Sequence, residues 1–267
     1  MNLQNSNIMK TISKSLKIGT SIGLFFTCFT QPIIAADIFV CGDGEVTLGY
    51  APTSEYNLQV GDEVMWQEWD VVNGVNIGAP QVLTYDGTPA SVNLTLQGPN
   101  LDDGSHNYIV FVLSTGDECT GDNSDPVEIF KLPELSILLG TPSFAQYCED
   151  GSGPDGQTSS EIVATTTPGI ALPSEVLLVY TWTADGITDV SSIGSSTPNS
   201  TTVTELTNTF TLTTNTVGVY TFNTSVAYAA AAADGTIIKG GGCLTTSTNS
   251  QTVEVTAKPG KPVITVG

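Results

Sequence analysis

The stretch Asp150-Gly-Ser-Gly-Pro-Asp155-Gly-Gln-Thr-Ser-Ser-Glu161 places acids at both ends of a twelve-residue segment. Carboxylates spaced this way in a loop can supply oxygens to Ca2+, which takes about six to eight of them. Pro154 stands at a ligand position and the glycine comes one place late for an EF-hand, so Asp150, Asp155 and Glu161 form an irregular calcium candidate. Further acids, Asp43, Glu45, Asp117, Glu118, Asp122, Asp125 and Glu149, fall in expected loops and read as one acidic pole. Two carboxylates could also hydrolyse a glycoside, but an acid-rich surface offers such pairs everywhere. His106 is the single histidine and there is no arginine. Most acid–base, metallo-hydrolase and phosphoryl-transfer sites therefore cannot be assembled, and the chain reads as no enzyme, with no catalytic residue and no cofactor other than the possible calcium. Its formal net charge of −20 repels nucleic acid.

Two other residue sets could carry chemistry. Tyr56, Trp69 and Tyr85 could stack on sugar rings. Trp69 follows Trp66 by three positions, which puts the two on opposite faces of a strand. The second set is the cysteines. Cys41, Cys119, Cys148 and Cys243 have no CxxC spacing, which argues against zinc or thioredoxin-like chemistry and for disulfides.

The elements that must position these residues are short strands. Val46–Leu48, Asp62–Trp66, Ser91–Leu96, Tyr108–Leu113, Val127–Phe130, Val176–Trp182, Thr207–Leu212, Val219–Val226 and Thr252–Thr256 alternate apolar and polar residues between Gly, Asn, Asp and Pro clusters. Ala227–Ala233 is too short for a helix and reads as a widened connection between the last two strands. This density of strands predicts an all-β chain of β-sandwiches. Trp66 and Trp182 are expected in the cores. Tyr108 and Tyr220, each with a glycine upstream, are expected as corner tyrosines bonded to the backbone before them.

Landmarks recur in order at a spacing of about 110 residues: a Cys, a Trp, a Gly-led Tyr strand, a second Cys. Each half then closes on itself, which predicts the bridges Cys41–Cys119 and Cys148–Cys243. The second half is looser, with 23 residues from Tyr220 to Cys243 against 11 from Tyr108 to Cys119.

Lys10, Lys14 and Lys17, the apolar run Ile22–Phe29, Pro32 and Ala35-Ala36 follow the order of a secretory signal peptide, with cleavage expected after Ala36. Cys28 follows Thr27, a poor context for lipid attachment. Gln31-Pro32 interrupts the apolar run and nothing later is long enough to span a bilayer, so no transmembrane segment is expected in the mature chain. The expected organisation is a signal peptide (1–36), two domains (37–133 and 134–258) meeting near Lys131-Leu-Pro, and a linker or first strand of a further domain (259–267).

The pattern Cys41-Gly-Asp, Trp66, Asp103-Gly104, Tyr108, Cys119 and Leu132-Pro133 resembles the Ig-like and PKD-like repeats of secreted and surface proteins of the Bacteroidetes. The resemblance covers residues 37 to about 258. It implies two tandem Ig-like sandwiches in a secreted or surface-displayed stalk or adhesive arm, and it carries no catalytic residues. The expected partners are a surface protein or a polysaccharide, bound through loops or a sheet edge, and the alternative reading is a carbohydrate-binding module built on the three aromatics.

Overall fold

Ile38-Phe-Val-Cys41 is a run of four apolar residues, and each of its two faces finds its own core. Ile38 and Val40 pack into one hydrophobic cluster with Trp66, Tyr108 and Ile129. Phe39 and Cys41 pack into another with Trp182, Phe210 and Phe222. A strand buried on both faces needs no polar alternation. The structure, a computed structural model, describes residues 38–51, 56–116, 119–153, 156–231, 237–241 and 243–265, so the expected leader lies outside the described residues. The described residues belong to one compact unit.

The first sandwich contains β1 (Ile38–Val40), β2 (Glu45–Leu48), β3 (Glu63–Asp70), β4 (Val75–Thr84), β5 (Leu94–Gln97), β6 (Gly104–Leu113) and β7 (Val127–Lys131). The second contains β8 (Leu135–Leu139), β9 (Gln146–Cys148), β10 (Ser160–Pro168), β11 (Val176–Ala184), β12 (Gly194–Ser196), β13 (Thr207–Leu212), β14 (Gly218–Ala230), β16 (Thr245–Thr246) and β17 (Gln251–Thr256). Between β14 and β16 lies β15 (Ile237–Lys239), which joins the sheet of the first sandwich.

The strand orders are those of an immunoglobulin-type fold. In the second sandwich one sheet runs β12-β13-β10-β8 and the other β11-β14-β17-β9, matching the two sheets of a constant-type domain. In the first, β1-β7-β6-β3-β4 faces the two-stranded sheet β2-β5. β1 runs parallel to β7 and β9 runs parallel to β17, so in each sandwich an early strand lies against the last one.

The core tryptophans stand where the sequence places them. Trp66 on β3 donates Nε1–H to the Val92 carbonyl at 2.8 Å, and Trp182 on β11 donates to Asn208 Oδ1 at 2.8 Å. Buried indoles need such a partner. Tyr220 forms the expected corner: its hydroxyl donates to the Thr216 carbonyl at 2.9 Å. Tyr108 is buried at the matching place, and burial together with the nearby Glu68 charge pushes its hydroxyl up to about 12.

Two elements depart from the sequence reading. β4 has no alternation and is exposed at every position but Leu83, with Gly78 and Pro80 inside it. It pairs with β3 across an irregularity, Trp66 facing Gln81 and Glu68 facing Ile77. The buried Gln67 amide spans this gap by donating to the Ile77 carbonyl at 2.7 Å and the Glu68 carbonyl at 2.9 Å. The other departure is β14, which runs on through Ala230, so the alanine-rich segment begins as strand rather than as a connection.

Candidate functional site

The segment after β14 does more than widen a connection. β15 pairs parallel with β1, Ile38 against Ile237 and Val40 against Lys239, and extends the first sandwich's sheet to six strands. Cys41 N–H continues the ladder to the Lys239 carbonyl at 3.0 Å. Cys41 and Cys243 then join in a disulfide, with Cα atoms 5.9 Å apart and 202 residues between them in sequence.

This corrects the expected bridges. With Cys41 joined to Cys243, neither Cys41–Cys119 nor Cys148–Cys243 forms; Cys119 and Cys148 stand outside any disulfide. The repeat logic assumed that each half closes on itself. The longer spacing from Tyr220 to Cys243 was the signal that the second half reaches across instead.

The clasp needs close backbone approach. A Cβ on Gly240, whose φ is +100°, would lie 2.2 Å from the Cys41 carbonyl oxygen, and one on Gly44 would lie 2.7 Å from that of Lys239. Only glycine fits both places. Cys243 itself sits at φ +48°, a left-handed conformation that a side chain adopts at a cost. Buried Lys131 adds a bond from its Nζ to the Gly42 carbonyl at 2.9 Å. Tyr228, near the top of β14, donates to the Pro133 carbonyl at 2.8 Å. Burial, reinforced by the Asp103 charge, holds the Tyr228 hydroxyl far above the usual tyrosine range.

The other notable feature is at the opposite pole of the first sandwich. The loops after β2 and β6 surround a concavity of about 590 Å3 lined by Tyr50, Tyr56, Val112, Thr120, Gly121 and Asp122, among others. Asp62, behind the lining, holds Tyr56 in place. This buried carboxylate accepts hydrogen bonds from the Tyr56 hydroxyl at 2.6 Å, Gln59 N–H at 2.7 Å and Thr115 N–H at 3.3 Å. Burial alone would raise the Asp62 carboxyl, but these bonds outweigh it and hold it below the usual range. The charge of Asp62 adds to burial in raising Tyr50.

The three candidate stacking residues do not form one surface. Tyr56 and Tyr85 pack against the first core at the Asp62 end of β3, where Gly61 N–H donates to the Tyr85 carbonyl at 2.9 Å. Trp69 is half-buried seven residues on from Asp62 along β3, about 23 Å away at a strand's rise.

The acidic loops do not share one pole either. Asp43 and Glu45 flank Gly44 at the clasp, Asp122 lines the distal concavity, and Glu149 and Asp150 lie past the end of β9. Asp117 and Glu118 fall outside the described residues, as does Asp155 of the calcium candidate. Asp150 is held by the Lys258 ammonium and by Ser152, which keep its carboxyl far below the usual range. Glu161 lies not in a loop but on β10, opposite Thr211. Among the described residues no three His, Cys, Asp or Glu side chains converge on a metal position. His106 is on β6, its Nδ1 2.8 Å from Glu68 Oε1 and its Nε2 2.8 Å from the Asp102 carbonyl, a bracing role away from the concavity.

No protein-family model matches the chain, and no curated protein matches it in sequence. Among solved structures, the D00–D0 domain of intimin is 12% identical, with 82% of this chain and 96% of that one covered at a TM-score of 0.29. The C-terminal domain of the Streptococcus agalactiae AgI/II polypeptide BspA is 10% identical over 83% and 96%, at 0.33. Domains 4 and 5 of the S-layer protein SbsC are 11% identical over 73% and 97%, at 0.26. Likeness at this level carries no functional inference, and the immunoglobulin-type assignment rests on the strand order. No helix among the described residues is long and apolar enough to cross a membrane.

Proposed function

We propose that the chain is a non-enzymatic, exported structural and adhesive module of the cell surface, with domains 37–133 and 134–258 clasped into one arm. The observation that carries this reading is the Cys41–Cys243 bridge, laid over the β1–β15 ladder. A disulfide persists in an oxidising compartment, in keeping with the leader-like residues 1–36. A strand exchanged between neighbours and then cross-linked suppresses bending at the junction, which suits a load-bearing arm. The pole away from the clasp, with its concavity and the exposed Asp122 and Asp125, is where such an arm would meet a surface protein or polysaccharide.

The test has two readouts. Spin labels, one on each sandwich, should give a narrow distance distribution that broadens in Cys243→Ser. Binding of the exported chain to intact cells or immobilised glycans should fall in Asp122→Lys and survive in Trp69→Ala. A broad distribution in the native chain, or binding lost with Trp69 and not with Asp122, overturns the reading.

A further inference from the structure

A second cleft, of about 290 Å3, opens in the second sandwich. It lies between β11, the outermost strand of its sheet, and the segment that leads from β12 into β13. The continuous described stretch 156–231 supplies every lining residue. Leu178 and Tyr180, both buried, line its inner end. Polar residues make up the rest of the wall, among them Thr197, Asn199, Ser200, Glu205, Thr207 and Thr209.

The frame is held by its own bonds. Asn199 lies against the edge of β11 as a strand would: its Oδ1 accepts from Tyr180 N–H at 2.9 Å, and its Nδ2 donates to the Tyr180 carbonyl at 3.1 Å. Asn208 uses its amide in the same way, accepting from Trp182 and donating to the Thr197 carbonyl, each at 2.8 Å. The Tyr180 hydroxyl lies 2.9 Å from Thr166 Oγ1 and 3.2 Å from the Glu205 carbonyl. A wall bonded in this manner is formed before a ligand arrives, which lowers the ordering cost of binding.

What remains for a ligand is mainly hydroxyl. Ser200 Oγ accepts from Val203 N–H at 3.1 Å and keeps its proton to donate. Thr207 and Thr209 come from the solvent side of β13, and each hydroxyl can donate and accept. Glu205 is the one charged residue of the lining. Its carboxylate repels anions. Hydrolysis of a glycoside would need a second carboxylate beside it. Ca2+ would need about six to eight oxygens, and among the described residues no three His, Cys, Asp or Glu side chains converge. An uncharged ring bearing several hydroxyls matches the groups present. Ligand pockets run about 300–1,000 Å3, so this cleft stands at the small end and has room for one sugar unit.

The surface beside the cleft continues the same chemistry. β13 turns Thr207, Thr209 and Thr211 outward, and across the ladder they face Thr165, Val163 and Glu161 of β10. Leu138 of β8 stands beyond Thr165. Neighbours in this grid are about 4.8 Å apart across strands and about 6.8 Å apart along them. Of these seven residues only Glu161 is charged, in a chain whose formal net charge is −20. Methyl groups for the C–H faces of sugar rings thus alternate with hydroxyls for their O–H groups.

We propose that the cleft is a glycan site, seating one uncharged sugar unit while the rest of a neutral polysaccharide runs over the threonine-rich face of β13 and β10. The site goes beyond the adhesive reading above: it is a separate contact on the second sandwich and depends on neither the distal concavity nor the clasp.

Affinity electrophoresis of residues 37–267 through gels of mannan, xylan, a neutral β-glucan and the acidic polymer alginate tests it. The chain should be retarded in at least one neutral gel and not in alginate. An oligosaccharide of the retarding glycan should protect the amides around Asn199 and Glu205 from hydrogen exchange. Thr207→Val combined with Thr209→Val keeps the branched shape that strands favour and should keep the native melting curve. Loss of the two hydroxyls should weaken retardation at least about tenfold. Retardation in no neutral gel overturns the proposal, as does retardation that the double substitution leaves unchanged. Protection confined to residues 110–124 overturns it too, and would place the glycan in the distal concavity. A double variant that loses the glycan yet still binds cells upholds this site and leaves the adhesive reading intact. A native chain retarded through these threonines that binds no cells upholds this site and sinks that reading.

Discussion

Replacing Cys243 with serine opens a loop of 202 residues. In the chain-entropy account a cross-link closing a loop of this length stabilises the folded chain by about 5 kcal/mol. That is comparable to the whole stability of many domains, about 5–15 kcal/mol. For a chain of this size each kcal/mol moves the midpoint by about 2–4 °C, so the substitution should lower the melting temperature by about 10–20 °C. β15 should also lose protection from hydrogen exchange, since among the described residues its ladder is the three residue pairs with β1. Calorimetry of the native chain, Cys243→Ser and Cys148→Ser gives the comparison. Cys148 accepts a weak bond from Thr256 Oγ1 and is otherwise outside the clasp, so its substitution should cost less than about 1 kcal/mol. Equal losses in the two variants, or a fall of no more than about 2 °C in Cys243→Ser, would refute the reasoning.

Other substitutions separate the remaining contacts. Tyr220→Phe removes the bond to the Thr216 carbonyl and should cost about 1 kcal/mol in denaturant unfolding, while Tyr108→Phe should cost almost nothing; the reverse ranking would contradict the corner assignment. Asp62→Ala removes the acceptor shared by the Tyr56 hydroxyl and the Gln59 and Thr115 amides, and should cost about 3 kcal/mol. Because the folded Asp62 carboxyl lies below its ordinary value of about 4, its stabilisation is complete above that pH and is lost as pH falls through the lowered value. Melting curves in acid should therefore converge for the native chain and Asp62→Asn, and a constant gap down to the lowest pH would count against it. Trp182→Phe leaves Asn208 Oδ1 without its buried donor and should cost about 2–3 kcal/mol, measured by denaturant unfolding; an unchanged midpoint would rule out the buried bond.

Strong local pattern was legible in the sequence. Thr207–Leu212 alternates cleanly and is β13 end to end, and the two tryptophans mark the same strand in both sandwiches. These features depend on residues a few positions apart. β4 escaped notice because Gly78 and Pro80 interrupt it and an exposed edge imposes no alternation. β15 is three residues long, and its partner strand begins 199 residues earlier. Nothing local in Ile-Ile-Lys announces such a pairing. The cysteine pairing failed for the same reason: the repeat was real, but one loop of the second half was long enough to leave it. Tyr56, Tyr85 and Trp69 looked like one surface because nothing local shows that the two tyrosines lie in loops at one end of β3 and Trp69 near its other end.

The most direct measurement is the cysteine connectivity of the secreted protein, read by non-reducing proteolysis and mass spectrometry. A single cross-linked peptide pair containing Cys41 and Cys243, with Cys119 and Cys148 alkylated as thiols, is the predicted result. Cys41 joined to Cys119, or Cys148 joined to Cys243, would mean that each sandwich closes on itself and that the clasp does not exist.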